Sequence, residues 1–325
     1  MTRQRLFVLG MLILLAGCAK TATTPSSDQS VSEPASTGQV AAQPSQPTRR
    51  SVSQDGVTLS ILKAGTGDPV IYVHGVVTTS NIFSKYLAAY SPAYRGIAVD
   101  LRGYGNSEKT PTGSNISQFV KDLIALADRL KIEKPVWVGV SMGGMILQQL
   151  ALEHPDRVKA LVLVSTTDGA MILDQDLPSI GNPRTNAEVS KKILLESFPA
   201  GTDQKLYQPL FDRIPTWNAS VLREALTSMS IFGTHGQLSA ITAPTLIMVG
   251  AKDDVATPTI AAGIQGQIAW SRLVTFETGH FMMAEDPEGF RRVLGGVSTL
   301  TQKVRQVGFT LALRQTQNLA IFPAA

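Results

Sequence analysis

The feature that most constrains the fold is a regular alternation of short apolar runs with amphipathic helical segments. The runs are rich in Val, Ile and Leu, as is typical of strands buried within a parallel sheet. They occupy residues 57–62, 70–73, 96–99, 136–140, 161–164, 245–249 and 272–276. Because helical stripes separate several of them, the sequence predicts an α/β fold with a mostly parallel central sheet flanked by helices.

The helical segments define a second feature of the fold. Residues 116–130 carry apolar side chains at helical spacing, with Asn115 as the cap, and residues 142–152 form another helix. The stretch of about 80 residues between 164 and 245 contains no convincing strand. It contains instead three helical segments, at 186–198, 203–211 and 218–229. An insertion of that size is too long for a loop, so we expect a helical cap over residues 167–240.

The amino-terminal segment is typical of an exported protein. Two arginines precede an apolar stretch, residues 6–15, that is too short to cross a membrane as a mature helix. The stretch is followed by the single cysteine of the chain, Cys18, and its L-A-G-C ending resembles the lipobox of bacterial lipoproteins. This resemblance implies that residues 1–17 are a signal peptide and that lipid on Cys18 anchors the protein in the bacterial cell envelope. The following Ala19 favours the outer membrane or periplasmic face over the inner membrane, and an ordinary cleaved signal is the alternative.

The two tails differ in composition from the body. Residues 19–50 are rich in Ser, Thr, Pro, Gln and Ala, so they cannot bury enough apolar surface to fold. We interpret residues 18–50 as the lipidated cysteine and a disordered tether, and residues 51–297 as the folded domain. Residues 298–325 show some alternation, but the sequence assigns them no role.

The charge distribution argues against a nucleic-acid partner. The chain has 29 Lys+Arg and 25 Asp+Glu, a net charge of +4. The segments 1–50 and 298–325 carry +6 of this charge, which leaves −2 on residues 51–297. A single cysteine excludes internal disulfides and cysteine-based zinc or iron–sulfur sites, and we expect neither a metal nor an organic cofactor.

The strongest chemical signal is G-V-S-M-G at residues 139–143, between a predicted strand and a predicted helix. A turn this tight requires small residues around Ser141, which is pushed out at the carboxyl edge of the strand. The helix that begins at Met142 directs its N–H groups and positive dipole end to the same place. Ser141 is therefore predicted to be a nucleophile and the Met142 N–H an oxyanion donor. A glycine-rich turn of a nucleotide-binding fold is the alternative.

A serine nucleophile requires a base, and four histidines are available. His280 follows the last predicted strand, in a loop that reaches the strand edges, and it is therefore the predicted base. His74 follows an earlier strand in H-G-V-V, and we expect it to shape a turn whose Val76 N–H is the second oxyanion donor. His154 lies at the end of a predicted helix, and His235 lies in the connector between cap and core.

The acid that orients the base should follow a strand that lies between the nucleophile and the base in the chain. V-G-A-K-D-D-V-A-T-P places Asp253 and Asp254 directly after the predicted strand 245–249. Because neighbouring residues in an extended turn face different directions, only one of them can reach an imidazole. Asp168, after the preceding strand, is a remote third option.

Taken in order, these motifs resemble the α/β-hydrolase superfamily, and in particular its capped esterase, enol-lactonase and peroxidase-like branch. The resemblance covers residues 52–297 and includes D-L-R-G-Y-G-N-S at 100–107 and G-H-F-M-M-A-E-D-P-E-G-F from 279. It implies an α/β-hydrolase fold and the roles given above for Ser141, His280, Val76 and Met142. The acid of this family commonly lies four residues before a proline, which selects Asp254 and leaves Asp253 as the alternative.

These residues predict a serine hydrolase that cleaves a small ester or lactone through an acyl-enzyme, in a pocket between core and cap. Its partners are the small-molecule substrate and, through the lipid anchor, a membrane. The alternatives are a C–C bond hydrolase or perhydrolase of the same fold and a non-catalytic small-molecule receptor.

Overall fold

All seven apolar runs form strands of one central sheet. The computed structural model describes residues 46–89, 94–170, 183–212 and 219–295, and within these ranges the sheet has eight strands. They are β1 (Thr48–Gln54), β2 (Val57–Ala64), β3 (Asp68–Val73), β4 (Tyr94–Asp100), β5 (Val136–Val140), β6 (Ala160–Val164), β7 (Thr245–Gly250) and β8 (Ser271–Phe276). The order is β1-β2-β4-β3-β5-β6-β7-β8, in which the β1–β2 and β2–β4 pairings are antiparallel and the others parallel. The predicted fold class is confirmed.

The centre of the sheet is buried on both faces, which explains why its strands have continuous apolar sequences. Every residue of β5 and of β6 is buried, although successive side chains of a strand point to opposite faces. Helices must therefore cover both sides. The largest of these side chains, Trp137, is fully buried and donates its Nε1–H to the Arg157 carbonyl at 3.0 Å.

The helices among the described residues either flank the sheet or form the cap. They are α1 (Ser84–Ala89), α2 (Ile116–Arg129), α3 (Met142–Glu153), α4 (Pro183–Glu196), α5 (Gln204–Phe211), α6 (Ala219–Ser230), α7 (Pro258–Gln267), α8 (Met282–Glu285) and α9 (Pro287–Gly295). The amphipathic pattern of α2 is confirmed, since Phe119 and Leu123 are fully buried. Its predicted cap is also confirmed, because the Asn115 Oδ1 accepts the Gln118 N–H at 3.0 Å.

The excursion between β6 and β7 contains three helices, α4, α5 and α6, close to the three helical segments predicted for it. Residues 171–182 and 213–218 lie outside the described residues. Helix α6 of this insertion contacts the segment that leads into α2. The Ser114 N–H donates to the Glu224 carboxylate at 2.6 Å, and the Ile116 N–H donates to the Ser228 hydroxyl at 3.0 Å. This part of the chain is hereafter called the cap.

The predicted end of the tether at residue 50 is wrong, because strand β1 begins at Thr48. Residues 48–50 belong to β1, which pairs with β2 along its whole length. The sequence lacks an apolar signal here because most of β1 is exposed. The strand is held instead by its ladder and by Arg49, whose guanidinium lies 2.8 Å from the buried Asp100 carboxylate and 3.0 Å from Asn81 Oδ1.

Three sequence predictions fall outside the described residues. They are the signal peptide at 1–17, the lipidated Cys18 with residues 19–45 of the tether, and the extension at 298–325. Within the described ranges, the helices are too short or too polar to cross a lipid bilayer.

Candidate active site

Ser141 is the single residue between β5 and α3, and its backbone conformation is rare for a residue with a side chain. Its φ of 54° and ψ of −119° cost on the order of 1–3 kcal/mol, which the surrounding contacts must offset. The Ser141 N–H donates to the Val164 carbonyl at 2.9 Å, and its carbonyl accepts the Thr166 hydroxyl at 2.8 Å. The chain therefore reverses within one residue and points this side chain away from the sheet.

The glycines of G-V-S-M-G are required by close packing around that turn. A Cβ on Gly139 would lie 2.5 Å from the carbonyl oxygen of Gly143. A Cβ on Gly143 would lie 2.3 Å from the carbonyl oxygen of Val73, in the neighbouring strand β3. Since both obstacles are backbone atoms, rotation of a side chain cannot relieve either clash. Helix α3 can approach the sheet this closely only because these residues are glycines.

His280 and Asp253 form a buried pair at the carboxyl edge of the sheet. The Nδ1 of His280 lies 2.9 Å from Oδ2 and 3.1 Å from Oδ1 of Asp253, and both residues are almost fully buried. The structure thus brings together the predicted base and the alternative acid. The first choice of acid, Asp254, is corrected: its side chain is exposed, and no hydrogen bond joins it to His280 among the described residues.

The physical reason for this correction is the turn that follows β7. Asp253 Oδ1 accepts the N–H groups of Val255 and Ala256 at 2.9 and 2.8 Å, which holds the side chain against its own turn while Oδ2 pairs with His280. Burial by itself would raise the pKa of Asp253, but the hydrogen bonds from His280 and from the Ala256 N–H keep it below its ordinary value. The carboxylate is therefore ionised at neutral pH. The next residue, Asp254, is exposed and lines the cavity instead of pairing with His280.

The loop that carries His280 is held by contacts that the sequence did not reveal. The Glu285 carboxylate accepts the Gly279 N–H at 3.0 Å, and the His280 N–H donates to the Ser197 carbonyl of the cap at 3.1 Å. Phe198 stacks on Phe281, with ring centroids 5.2 Å apart. Burial raises the pKa of Glu285, and the nearby Asp253 charge adds to this effect. The cap therefore contacts the histidine loop directly.

The other histidines have separate roles. His74 accepts the Leu101 N–H on Nε2 at 3.1 Å and donates from Nδ1 to the Gly75 carbonyl at 2.8 Å, and its burial lowers its pKa. It is thus a neutral imidazole that shapes the turn after β3. His235 Nδ1 lies 2.8 Å from the carboxylate of Asp168. The third candidate acid, Asp168, therefore pairs with His235 and not with His280. The remaining one, His154, ends α3.

The two predicted oxyanion donors are the backbone N–H groups of Val76 and Met142. Met142 begins α3, where the first N–H groups have no acceptor within the helix. Val76 lies in the turn after β3 and lines the same cavity as Ser141. Within the described part of the chain, neither N–H donates to another protein group. Neither amide is therefore committed to a protein acceptor among the described residues.

Ser141 and His280 open into one cavity of about 430 Å³ between the core and the cap. The cap covers it with apolar side chains from α4 and α6: Ile193, Leu226 and Met229. Val76 and Val77 line it from the core. The described residues contain no group of three or more His, Cys, Asp or Glu arranged to hold a metal ion. The cavity therefore presents the Ser141 hydroxyl and the His280 imidazole, which is paired with the Asp253 carboxylate, in a mostly apolar lining.

Comparison with known proteins places this arrangement in context. A family model described as the alpha/beta hydrolase fold matches residues 68–287. The 3-oxoadipate enol-lactonase 2 of Acinetobacter baylyi is 24% identical over 255 residues, which cover 74% of this chain and 93% of that protein. An esterase from Exiguobacterium antarcticum superposes with a TM-score of 0.70 at 26% identity, covering 77% of this chain and 98% of the other. The enol-lactonase of Burkholderia xenovorans LB400 gives a TM-score of 0.71 at 22% identity, with coverages of 77% and 100%, a likeness of fold alone.

The glycine packing at the Ser141 turn can be tested by stability. We expect Gly143→Ala to lower the free energy of unfolding by about 3 kcal/mol, because its Cβ would press on the Val73 carbonyl. Gly263→Ala in α7 is the matched control, since no atom lies within 4 Å of its Cβ and alanine favours a helix by about 1 kcal/mol. Denaturant unfolding followed by circular dichroism measures both. Equal stability of the two variants would contradict the close approach of α3 to β3.

Proposed function

The chain belongs to the α/β-hydrolase fold family, and from that premise we propose that it is a serine hydrolase that cleaves a small carboxylic ester or lactone. One observation carries the proposal: Ser141 on its strained turn and His280, paired with Asp253, line the same cavity. A hydroxyl and an imidazole that line one cavity, with a carboxylate paired to the imidazole, are the groups that serine acyl transfer requires.

His280 is the general base of the proposed reaction. Because its Nδ1–H donates to Asp253, the other ring nitrogen, Nε2, carries the lone pair that can accept a proton from Ser141. The ionised Asp253 holds this tautomer and stabilises the imidazolium that forms during the reaction. Its hydrogen bonds to the Val255 and Ala256 amides keep the carboxylate in place.

The reaction proceeds through an acyl-enzyme. Ser141 Oγ bonds to the substrate carbonyl carbon while its proton passes to His280, and the leaving alcohol takes that proton when its carbon–oxygen bond breaks. Water then gives a proton to His280 and bonds to the acyl carbon, and Ser141 leaves with the proton. One ester and one water yield one acid and one alcohol, or one hydroxy acid when the substrate is a lactone.

The amides of Val76 and Met142 stabilise the oxyanion in both steps. Their N–H groups have no protein acceptor within the described residues, and α3 adds the positive end of its dipole at Met142. Loss of one such donor typically costs about 3–4 kcal/mol of transition-state stabilisation. Since both are backbone groups, the turns themselves supply this part of the catalysis.

The size of the cavity supports a small substrate. A volume of about 430 Å³ lies near the lower end of the range of small-molecule sites, roughly 300–1,000 Å³. The apolar side chains of the cap and core favour a compact acyl group next to Ser141. We therefore propose short-chain esters or lactones as the substrates.

The choice of acid gives a direct test of the mechanism. Asp253→Asn should lower kcat on 4-nitrophenyl butyrate by about 10³–10⁴-fold, because the tautomer and charge that support His280 are lost. Asp254→Asn removes a neighbouring carboxylate that makes no hydrogen bond to His280 among the described residues, so it should lower kcat far less. Steady-state kinetics at pH 7.5, with melting temperatures as a check on folding, measure the contrast. The opposite order would return the acid role to Asp254.

The nucleophile can be identified by covalent labelling. A fluorophosphonate probe should label the wild-type protein, and Ser141→Ala should abolish the labelling. Ser197→Ala is the matched control, because Ser197 also lines the cavity but its hydroxyl donates to the Ile193 carbonyl at 2.7 Å. Mass spectrometry of the labelled peptide locates the site. Intact wild-type protein that neither labels nor hydrolyses any 4-nitrophenyl ester or lactone would contradict the proposed function.

We also propose that lipid on Cys18 holds this hydrolase in the bacterial cell envelope. The support lies in the sequence: two arginines, an apolar stretch and L-A-G-C precede a polar segment of low apolar content. One acyl chain gives only marginal membrane binding, so the several chains of a lipoprotein are needed for stable anchoring. Residues 19–45 would then separate the folded part from the membrane.

The anchor is tested by expression of the full chain in a bacterium. The wild type should incorporate radiolabelled palmitate and sediment with membranes, whereas Cys18→Ser should do neither. Separation of inner and outer membranes then tests the preference that Ala19 implies. A wild-type protein that remains in the soluble fraction without label would contradict the lipid anchor on Cys18.

A further inference from the structure

We propose that Asp254 and Glu196 select substrates by charge, so that the enzyme accepts neutral or cationic esters and discriminates against esters with a carboxylate on the acyl chain. The inference rests on the proposed function, because it concerns which ester reaches Ser141. It assigns a role to Asp254, the neighbouring aspartate that does not pair with His280. It also names the substrate class more narrowly than the fold does.

Asp254 faces the cavity from the core. In the turn after β7, Asp253 is buried and pairs with His280, whereas Asp254 is exposed and lines the cavity. No described residue forms a hydrogen bond or ion pair with its carboxylate. Its negative charge can therefore act on a ligand in the cavity, reduced by the screening that applies to exposed groups.

Glu196 faces the same cavity from the cap. It is the last residue of α4, lines the cavity, and has a side chain that is 59% exposed. Lys192, one turn earlier, lies 4.0 Å from the Glu196 carboxylate, the outer limit of an ion pair. Exposed ion pairs of this kind are weak, so Lys192 does not hold the carboxylate tightly. The two carboxylates therefore flank the cavity from opposite components of the fold.

The rest of the described lining contains no cation that could receive an anionic group. Apart from His280, the other lining residues are apolar or carry hydroxyl groups, and neither lysine nor arginine is among them. A carboxylate on the substrate would lose water and meet two like charges. At 4 Å, a single like charge weakens binding by about fivefold even in bulk water, and salt reduces this effect for exposed groups. For the two carboxylates together, we expect kcat/KM to be about tenfold or more lower for an anionic ester than for a neutral one.

The same charges act on the product. Hydrolysis of a neutral ester releases an alcohol and a carboxylic acid, and the acid ionises at neutral pH because its pKa lies near 4. The new carboxylate is formed beside Ser141, in a cavity flanked by Asp254 and Glu196. Repulsion should therefore favour its release, and the acid product should be a weak inhibitor.

The experiment compares three 4-nitrophenyl esters with acyl chains of similar length that end in a methyl group, a carboxylate or a trimethylammonium group. The uncatalysed rate is subtracted for each ester. We expect the wild-type kcat/KM to be about tenfold or more lower for the anionic ester than for the neutral one at low salt. The ratio should shrink in 0.5 M NaCl, because added salt screens exposed charges.

The double variant Asp254→Asn with Glu196→Gln should reduce the neutral-to-anionic ratio of kcat/KM by about tenfold and strengthen inhibition by butyrate. The matched control is Glu133→Gln with Asp156→Asn, which changes the net charge equally at two exposed positions that do not line the cavity. This control should retain the wild-type ratio. Melting temperatures verify that both variants are folded.

The outcomes separate this inference from the proposed function. If the wild type hydrolyses neutral and anionic esters equally well, or if both double variants change the ratio equally, charge selection by these residues is wrong while the hydrolase assignment stands. If no ester is hydrolysed and the fluorophosphonate does not label Ser141, the proposed function itself fails.

Discussion

The close approach of helix α3 to the sheet is the constraint on which the rest of the site depends. The chain must pass from the buried strand β5 to a buried helix through one residue, and it can do so only because Gly139 and Gly143 have no side chain to meet the neighbouring backbone. The resulting strain lies in the backbone of Ser141, which has a φ of 54°. In return, Ser141 lines the cavity at the start of α3, so that the proposed nucleophile and the proposed oxyanion donor Met142 arise from one turn.

The base and the acid depend on a second packing contact, between the loops after β7 and β8. The Ala251 N–H donates to the Phe276 carbonyl at 2.7 Å, and the Lys252 N–H to the Thr278 carbonyl at 2.9 Å, so the two loops begin as an extension of the sheet. Asp253 and His280 then face each other. The cap completes this arrangement, because the Ser197 carbonyl accepts the His280 N–H. The part of the fold that covers the substrate therefore also holds the proposed base.

Two adjacent aspartates show how one turn can separate two roles. Asp253 is turned inward by the amides of Val255 and Ala256, and its charge is compensated by His280. Asp254 lines the cavity and forms no ion pair among the described residues, and Glu196 lines the same cavity from the cap. A carboxylate close to a base stabilises positive charge on that base, whereas a carboxylate in the substrate cavity repels negative charge on a ligand. Their position relative to the imidazole, and not their chemistry, distinguishes them.

The sequence alone determined the α/β class, seven strands, the cap and the positions of Ser141 and His280, because buried strands, amphipathic helices and tight turns leave local patterns. It did not reveal β1, whose mostly exposed residues depend on pairing with β2 and on the contact between Arg49 and Asp100. It also selected Asp254 where the structure pairs Asp253 with His280. That choice belongs to tertiary structure, because which of two neighbouring carboxylates reaches an imidazole 27 residues away depends on how two loops pack and not on local sequence.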